Sequence, residues 1–305
     1  MRNSFISHLV KLARINPNIA LIVGDLGYSV IEPFAEEFPD RFINAGVAEQ
    51  NMAGLAAGMA SEGYQVFCYS IANFPTFRCA EQIRNDICYH NLAVTIVSVG
   101  GGLAYGNLGF SHHAVQDYAL LRSMPNMTIA SPGDPLEVEG CLDYIVSNSG
   151  PFYLRLGKTG EDIFHSKKPS LEVGQWQKIR GTSEDFGIVS TGTALQIAVR
   201  FAEQSSEKDI SLFSCPLWNS DVKAHQYKNF GIIRHILSVE DHLIDGGFGS
   251  WLLESIQASE DKLSKFQILG LQHQVLNMVA SEKTLLDAGG LSFDHFDEVL
   301  ALLKQ

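Results

Sequence analysis

Phe42-Ile-Asn-Ala-Gly-Val-Ala-Glu-Gln-Asn-Met-Ala-Gly-Leu-Ala-Ala-Gly-Met-Ala60 changes character at its middle. Phe42 and Ile43 read as the end of a short strand, and Gly46 supplies a permissive turn. From Glu49 onward, Met52, Ala53, Ala56, Ala57 and Ala60 recur at helical spacing among Gly54 and Gly58, a small-residue face suited to close packing. Glu49 falls in the first turn of that helix, where the N-terminal dipole favours a carboxylate. Its simplest role is a cap. Its sequence neighbours are apolar or amide, with no cation among them.

Working outward, the same alternation repeats on both sides. Upstream, residues 2–15 read as an amphipathic helix ended by Asn16-Pro17. Residues 19–23 form a continuous apolar run, a buried parallel strand, with Gly24-Asp25-Leu26-Gly27 at its carboxyl end. Ligands gather at such strand ends in open α/β sheets. A helix over 31–38 leads back to the opening stretch. Downstream come strand 65–69, helix 78–91, strand 93–99, a glycine loop, helix 117–123, strand 127–130, helix 135–148 and strand 152–156. This predicts one doubly wound α/β domain over residues 1–157. Residues 158–182 read as a linker with room for a hairpin. Alternation resumes with strand 186–190, a helix through 204, strands 210–213 and 236–240, helix 250–258, strand 266–269 and helix 296–303. That predicts a second α/β domain over 183–305, with no comparable cluster of polar functional residues.

The chain has 305 residues, of which 22 are basic and 34 acidic, giving a net charge of −12. That excess argues against a nucleic-acid or anionic-membrane surface, while leaving room for a local cationic pocket. Cys68, Cys79, Cys88, Cys141 and Cys215 are scattered without a CxxC pair, the pattern of reduced thiols in a cytoplasmic protein. The N-terminus shows no signal-peptide core, and no apolar run reaches the ~18 residues of a membrane span.

Gly46-Val-Ala-Glu-Gln-Asn-Met52 resembles the "G-(I/V)-x-E-x-x-M" signature of the pyrimidine-binding domain in the transketolase family of thiamine diphosphate enzymes. The resemblance implies that Glu49 hydrogen-bonds the aminopyrimidine N1′ and so promotes loss of the thiazolium C2 proton. Asp25-Leu26 is similar to a family Asp-Leu pair at the cofactor, and Ser29 matches a serine on the substrate phosphate. Local turn contacts are the alternative for Asp25 and Ser29. Arg2 falls near an upstream family arginine. In Ile71-Ala-Asn-Phe-Pro-Thr-Phe-Arg78 the family places an aromatic ring that stacks on the aminopyrimidine. Phe74 and Phe77 compete for it; Phe74 is favoured because Phe77, beside Arg78, is expected to turn inward. Arg78 resembles a phosphate-binding arginine of deoxyxylulose-phosphate synthases.

Gly100-Gly-Gly-Leu-Ala-Tyr-Gly-Asn-Leu-Gly-Phe-Ser-His-His113 follows a strand, and its last five residues resemble the family's "G-x-(T/S)-H-(Q/H)" motif. His112 matches the histidine that shuttles protons with the substrate's oxygen, and His113 is expected on the substrate. The histidine pair lacks a third ligand at useful spacing, so no metal is expected on it. Gly100 and Leu108 stand where transketolases carry a His and an Asp that grip sugar hydroxyls. Arg155 matches an arginine on the substrate phosphate, with a surface salt bridge as its alternative. Leu120-Leu-Arg-Ser-Met-Pro-Asn-Met resembles a further family segment in the first domain, and Gly246-Gly-Phe-Gly-Ser250 extends the resemblance into the second.

The family's "G-D-G…N" segment, whose oxygens hold Mg²⁺ on the diphosphate, is missing from the sequence. The resemblance therefore implies the C-terminal-half subunit of a split enzyme. Its partner would be a separate N-terminal-half transketolase subunit carrying the Mg²⁺ ligands, in an α₂β₂ assembly. A homodimer of this chain is expected without that partner, and neither nucleic acid nor membrane as a partner. The implied activity is thiamine diphosphate-dependent transfer of a two-carbon ketol unit between sugar phosphates. The alternatives are a subunit like deoxyxylulose-phosphate synthase or the β chain of a 2-oxo acid dehydrogenase, and a non-catalytic homologue. The presence of both Glu49 and His112 disfavours the last.

Overall fold

In the computed structural model, residues 1–158, 160–230, 233–257 and 265–304 are described. The apolar runs become the centre of a seven-stranded sheet. Its parallel members are β1 (Ile19–Val23), β2 (Phe42–Asn44), β3 (Gln65–Ile71), β4 (Val94–Val99), β5 (Thr128–Ala130) and β6 (Phe152–Leu156), ordered β5-β6-β4-β3-β1-β2. β1, β4 and β6 are buried at every residue, as strands covered on both faces are; of the three, β1 is apolar throughout, while β4 carries Thr95 and Ser98 and β6 carries Arg155. Phe5 and Leu9 of helix Arg2–Ile15 pack on one face with Val97 and Leu154. Met52, Ala53, Ala56 and Ala57 pack on the other with Ile83 and Ile96. Each fully buried large side chain contributes about 1.5–3 kcal/mol.

Register decides where chemistry can sit. Val23 lies opposite Asn44 and Tyr69, and Ser98 lies opposite Ser70 and Arg155. The carboxyl ends of β1, β3, β4 and β6 therefore share one rim. The loops beginning at Gly24, Ala72, Gly100 and Gly157 all leave from it.

The second sheet has the order β12-β11-β8-β9-β7, from β7 (Gln177–Arg180), β8 (Phe186–Ser190), β9 (Ser211–Ser214), β11 (His235–Leu243) and β12 (Lys265–Leu271). Two parallel-dominated sheets flanked by helices make the chain α/β, as expected. β10 (Leu217–Asn219) was not expected. It leaves the second lobe and pairs antiparallel with β5, Leu217 opposite Ala130. Its Trp218 is buried against Tyr118 of the first lobe and Trp251 of the second.

Other differences are local. The described residues of 158–182 form no hairpin; Gln177–Arg180 pairs antiparallel with β9 instead. His165 fastens this segment to Asp134, whose carboxylate accepts both the Phe164 and His165 N–H groups. The predicted helix 78–91 is a short helix Phe74–Phe77, a turn at Ala80–Gln82 and a widened π-turn at Ile83–Cys88. Helix Glu282–Ala288 was not predicted, and Ala258 of the predicted helix 250–258 lies outside the described residues. Among the described residues, no helix is long and apolar enough to cross a membrane.

Candidate active site

Glu49 opens helix Glu49–Ser61 and is buried, 5% exposed. Ala48 makes no side-chain cap, so the helix start depends on neighbours for polar partners. The carboxylate points to the β3 loop, where Arg78 Nη1 donates to Glu49 Oε1 at 2.9 Å. The half-exposed Arg78 guanidinium also lies over the Phe74 ring, 4.1 Å from its centroid. The ring's other neighbour is His112, edge-on at 5.3 Å. One carboxylate, one planar cation, one aromatic face and one imidazole from three separate loops thus meet at the rim.

Two features hold this arrangement. Asn73, just before the Phe74 helix, donates to the backbone oxygens of Ser111 and His113 at 3.2 and 2.9 Å, tying the β3 loop to the histidine loop. Sequence reasoning missed it; an amide in a loop is an ambiguous signal. His112 Nδ1 faces Ser111 Oγ at 3.0 Å. Burial, then His113 and Arg78, push the His112 pKa below the ordinary histidine value, so the imidazole is neutral at pH 7 and can accept a proton.

The other expected residues divide. Asp25 is exposed with φ +56°, its carboxylate accepting from Tyr28 Oη and Asn44 Nδ2; Leu26 is half-buried. Ser29, exposed with φ +65°, uses its N–H on Glu32. Asn44 Oδ1 also accepts from Gly46 N, which sets this loop against the start of the Glu49 helix. Phe77 does not turn inward: it is 44% exposed, and only Phe74 meets Arg78 and His112. His113 is buried, 1% exposed, with Nε2 facing the Gly106 carbonyl; it braces the glycine loop rather than facing substrate. Arg2 Nε donates to the Lys158 carbonyl.

Arg155 requires the largest correction. It is neither on the surface nor open to a ligand, being 2% exposed. Its five N–H groups reach Asp117 Oδ2, Tyr118 Oη, Asp241 Oδ1, the Ala114 carbonyl and the Asp241 carbonyl. No donor remains for a phosphate. Burial alone would disfavour its charge, but Asp117 and Asp241 outweigh that and hold its pKa well above the usual arginine value. Asp117 belongs to the first lobe and Asp241 to the second, so Arg155 is an ionic pin between them. The second lobe is therefore not without functional polar groups: Asp241, held also by Thr193 Oγ1, is one. Gly102 lies so close that a Cβ there would overlap the Asp241 carboxylate. Among the described residues, no group of three His, Cys, Asp or Glu side chains is placed to hold a metal ion.

The family of transketolase pyrimidine-binding domains matches residues 1–160. A Methanocaldococcus jannaschii protein named as a transketolase C-terminal section is 34% identical over 268 residues, covering 85% of this chain and 82% of its own length. A protein of Actinobacillus succinogenes, named as one subunit of an apulose-4-phosphate transketolase, is 30% identical, covering 84% of this chain and 83% of its own length. The 1-deoxy-D-xylulose-5-phosphate synthase of Desulfotalea psychrophila is 31% identical across 93% of this chain, which spans 45% of that protein. A solved structure described as a split gene transketolase, inactive beta4 tetramer, superposes with a TM-score of 0.82 at 28% identity, covering 99% of this chain and 96% of its own.

Proposed function

The chain belongs to the transketolase family, and from that premise we propose that it is the C-terminal-half subunit of a split transketolase. With a partner chain it would transfer a two-carbon ketol unit between sugar phosphates. The observation that carries this is the buried Glu49 carboxylate joined through Arg78 to the Phe74 ring face, with His112 edge-on to the same ring. The fit to thiamine diphosphate rests on Arg78: a flat, cationic N–H donor already lies over Phe74 and bonds Glu49. An aminopyrimidine ring offers the same flat face and N–H edge. When bound, that cofactor supplies a carbon nucleophile able to carry a ketol unit.

This chain's part is to bind, orient and move protons. Glu49 holds a proton at the pyrimidine edge, Phe74 supports its face, and the Asp25-Leu26 turn borders the same rim. His112, neutral at pH 7, takes and returns the proton of the substrate hydroxyl. Arg78, once released from Glu49, is left with Ser29 for the substrate's anion. The ligands of Mg²⁺ on the diphosphate belong, in this reading, to the partner, in an α₂β₂ assembly. A synthase acting on pyruvate is the second reading, favoured by Arg78 and by the synthase relatives; carbon dioxide release from pyruvate would single it out.

Glu49→Gln tests the assignment. The amide keeps shape and packing but cannot take up the proton at N1′. The assembled complex should form and bind cofactor, while exchange of the thiazolium C2 proton with deuterium falls by ~10²–10⁴-fold. A mere cap would cost about 1 kcal/mol of stability and leave exchange alone. Undiminished exchange in a folded complex refutes the role of Glu49.

A further inference from the structure

His112 sits on a loop that belongs to the first lobe by sequence and largely to the second by packing. At the start of the loop Gly100 and Gly101 donate to the Leu156 carbonyl of β6, at 2.8 and 3.2 Å. Leu103, two residues on, is buried in the core of the second lobe, in the cluster that holds Val275, Leu285 and Leu291. Val115, just past the histidines, lies in the same cluster, and its carbonyl accepts from Leu243 N at 3.0 Å. The loop is therefore rooted in the second lobe on both sides of His112.

Helix Glu282–Ala288 presents Leu285 to the middle of that loop. A Cβ on Gly106 would stand 2.3 Å from Leu285 Cδ1 and 3.0 Å from the Ala280 carbonyl oxygen. Leu285 is fully buried, and close packing around it leaves no space into which it could withdraw. From this contact a short run of backbone bonds leads to the imidazole. The Gly106 carbonyl accepts from Gly109 N at 3.2 Å, and the Gly109 carbonyl accepts from His112 N at 2.9 Å. Gly109 itself abuts the second lobe, since a Cβ there would come within 3.2 Å of Val279 Cγ2. The two tight turns Gly106–Leu108 and Phe110–His112 thus ride on residues 279–285.

We propose that Leu285 is a positioning residue for His112: it sets where Gly106 rests and, through the two turns, how far the imidazole stands from the substrate hydroxyl. The second lobe then takes part in the proton steps through packing. The inference rests on the transketolase reading above and deepens it. Glu49 is carried by a helix of the first lobe, packed on the first sheet, so a displaced His112 should slow substrate chemistry while cofactor activation continues.

The test uses the assembled two-chain enzyme, saturated with thiamine diphosphate and Mg²⁺, with hydroxypyruvate as donor and glyceraldehyde 3-phosphate as acceptor. Gly106→Ala forces the turn away from Leu285, and a misplacement near ~1 Å costs on the order of a hundredfold in rate. The kcat for transfer should fall about ten- to a hundredfold, with KM little changed. Thiazolium C2 proton exchange should stay at the wild-type rate, which also shows the variant to be folded, assembled and loaded. In Gly106→Ala, Leu285→Ala the added methyl enters the space left by the shortened side chain, and most of the lost kcat should return. Leu285→Val, a milder change that withdraws the same contact, should lower kcat by about three- to tenfold with exchange unchanged; it decides the matter if Gly106→Ala does not assemble. A wild-type kcat in both single variants, a fall in exchange that matches the fall in kcat, or no recovery in the double variant overturns the role of Leu285 and leaves the transketolase reading standing. Absence of both exchange and transfer in the wild-type assembly instead brings down that reading, and this inference with it.

Discussion

Arg78 occupies two contacts that a bound aminopyrimidine would need, the Glu49 carboxylate and the Phe74 face. Cofactor binding must therefore displace it, and removing it should tighten binding. A hydrogen bond between charged groups is worth about 1.5–3 kcal/mol. The guanidinium is half-exposed, so solvent screening puts this pair near the low end. The cation–π contact at a partly exposed ring adds ~0.5–1 kcal/mol. Together about 2 kcal/mol is lost when Arg78 leaves, which corresponds to about thirtyfold in affinity. Arg78→Leu should thus lower the Kd for thiamine diphosphate by up to that factor, measured by isothermal titration into the assembled complex with Mg²⁺ present. In a Glu49→Gln background the gain from Arg78→Leu should shrink to the cation–π part alone, because the neutral amide no longer favours a cation. Weaker cofactor binding in Arg78→Leu would refute the reasoning and make Arg78 a direct cofactor ligand.

Two further outcomes follow from buried charge. Arg155→Met leaves Asp117 and Asp241 facing each other across the lobes without a cation, which should cost about 3–5 kcal/mol in chemical denaturation; an unchanged midpoint would remove the pin. His165 is opposed by burial, but its bond to Asp134 and the nearby Glu137 outweigh that and raise its pKa. A raised histidine pKa stabilises fully below its unfolded value of about 6.5 and fades as pH rises through the folded value. The melting temperature of wild type should therefore exceed that of His165→Gln most at pH 6, by roughly 1 kcal/mol of stability, and converge with it by pH 9. A gap that widens with pH would reverse the assignment.

A strand of continuous apolar residues, Ile19–Val23, was legible because burial on both faces leaves no polar alternation to misread, and Val94–Val99 because only small polar residues, Thr95 and Ser98, interrupt its apolar run. The Glu49 helix was legible from its small-residue periodicity. The helix predicted over 78–91 was not, because periodicity cannot distinguish an α-turn from the wider π-turn at Ile83–Cys88. At the site, Glu49, Phe74, Arg78 and His112 were singled out because they sit in motifs, and the structure brings them together. Arg155 carries the same side chain as a ligand-binding arginine, and only the fold reveals that Asp117 and Asp241 flank it. Asp241 and Asn73 act through contacts distant in sequence, which no local pattern records. Leu217–Asn219 was missed because three residues are too few to show an alternation.

That short strand has a consequence for synthesis. The family match ends at residue 160, yet the sheet it describes gains its seventh strand only from residues 217–219. On the ribosome the first lobe emerges with the hydrogen-bonding edge of β5 bare. At ~5–20 residues per second, its covering strand follows on the order of ten seconds later. A bare edge in that interval invites pairing with other nascent chains. The three-residue length of Thr128–Ala130 limits what such an edge can template, so the brevity that hid this part of the sheet also protects the chain while it is being made.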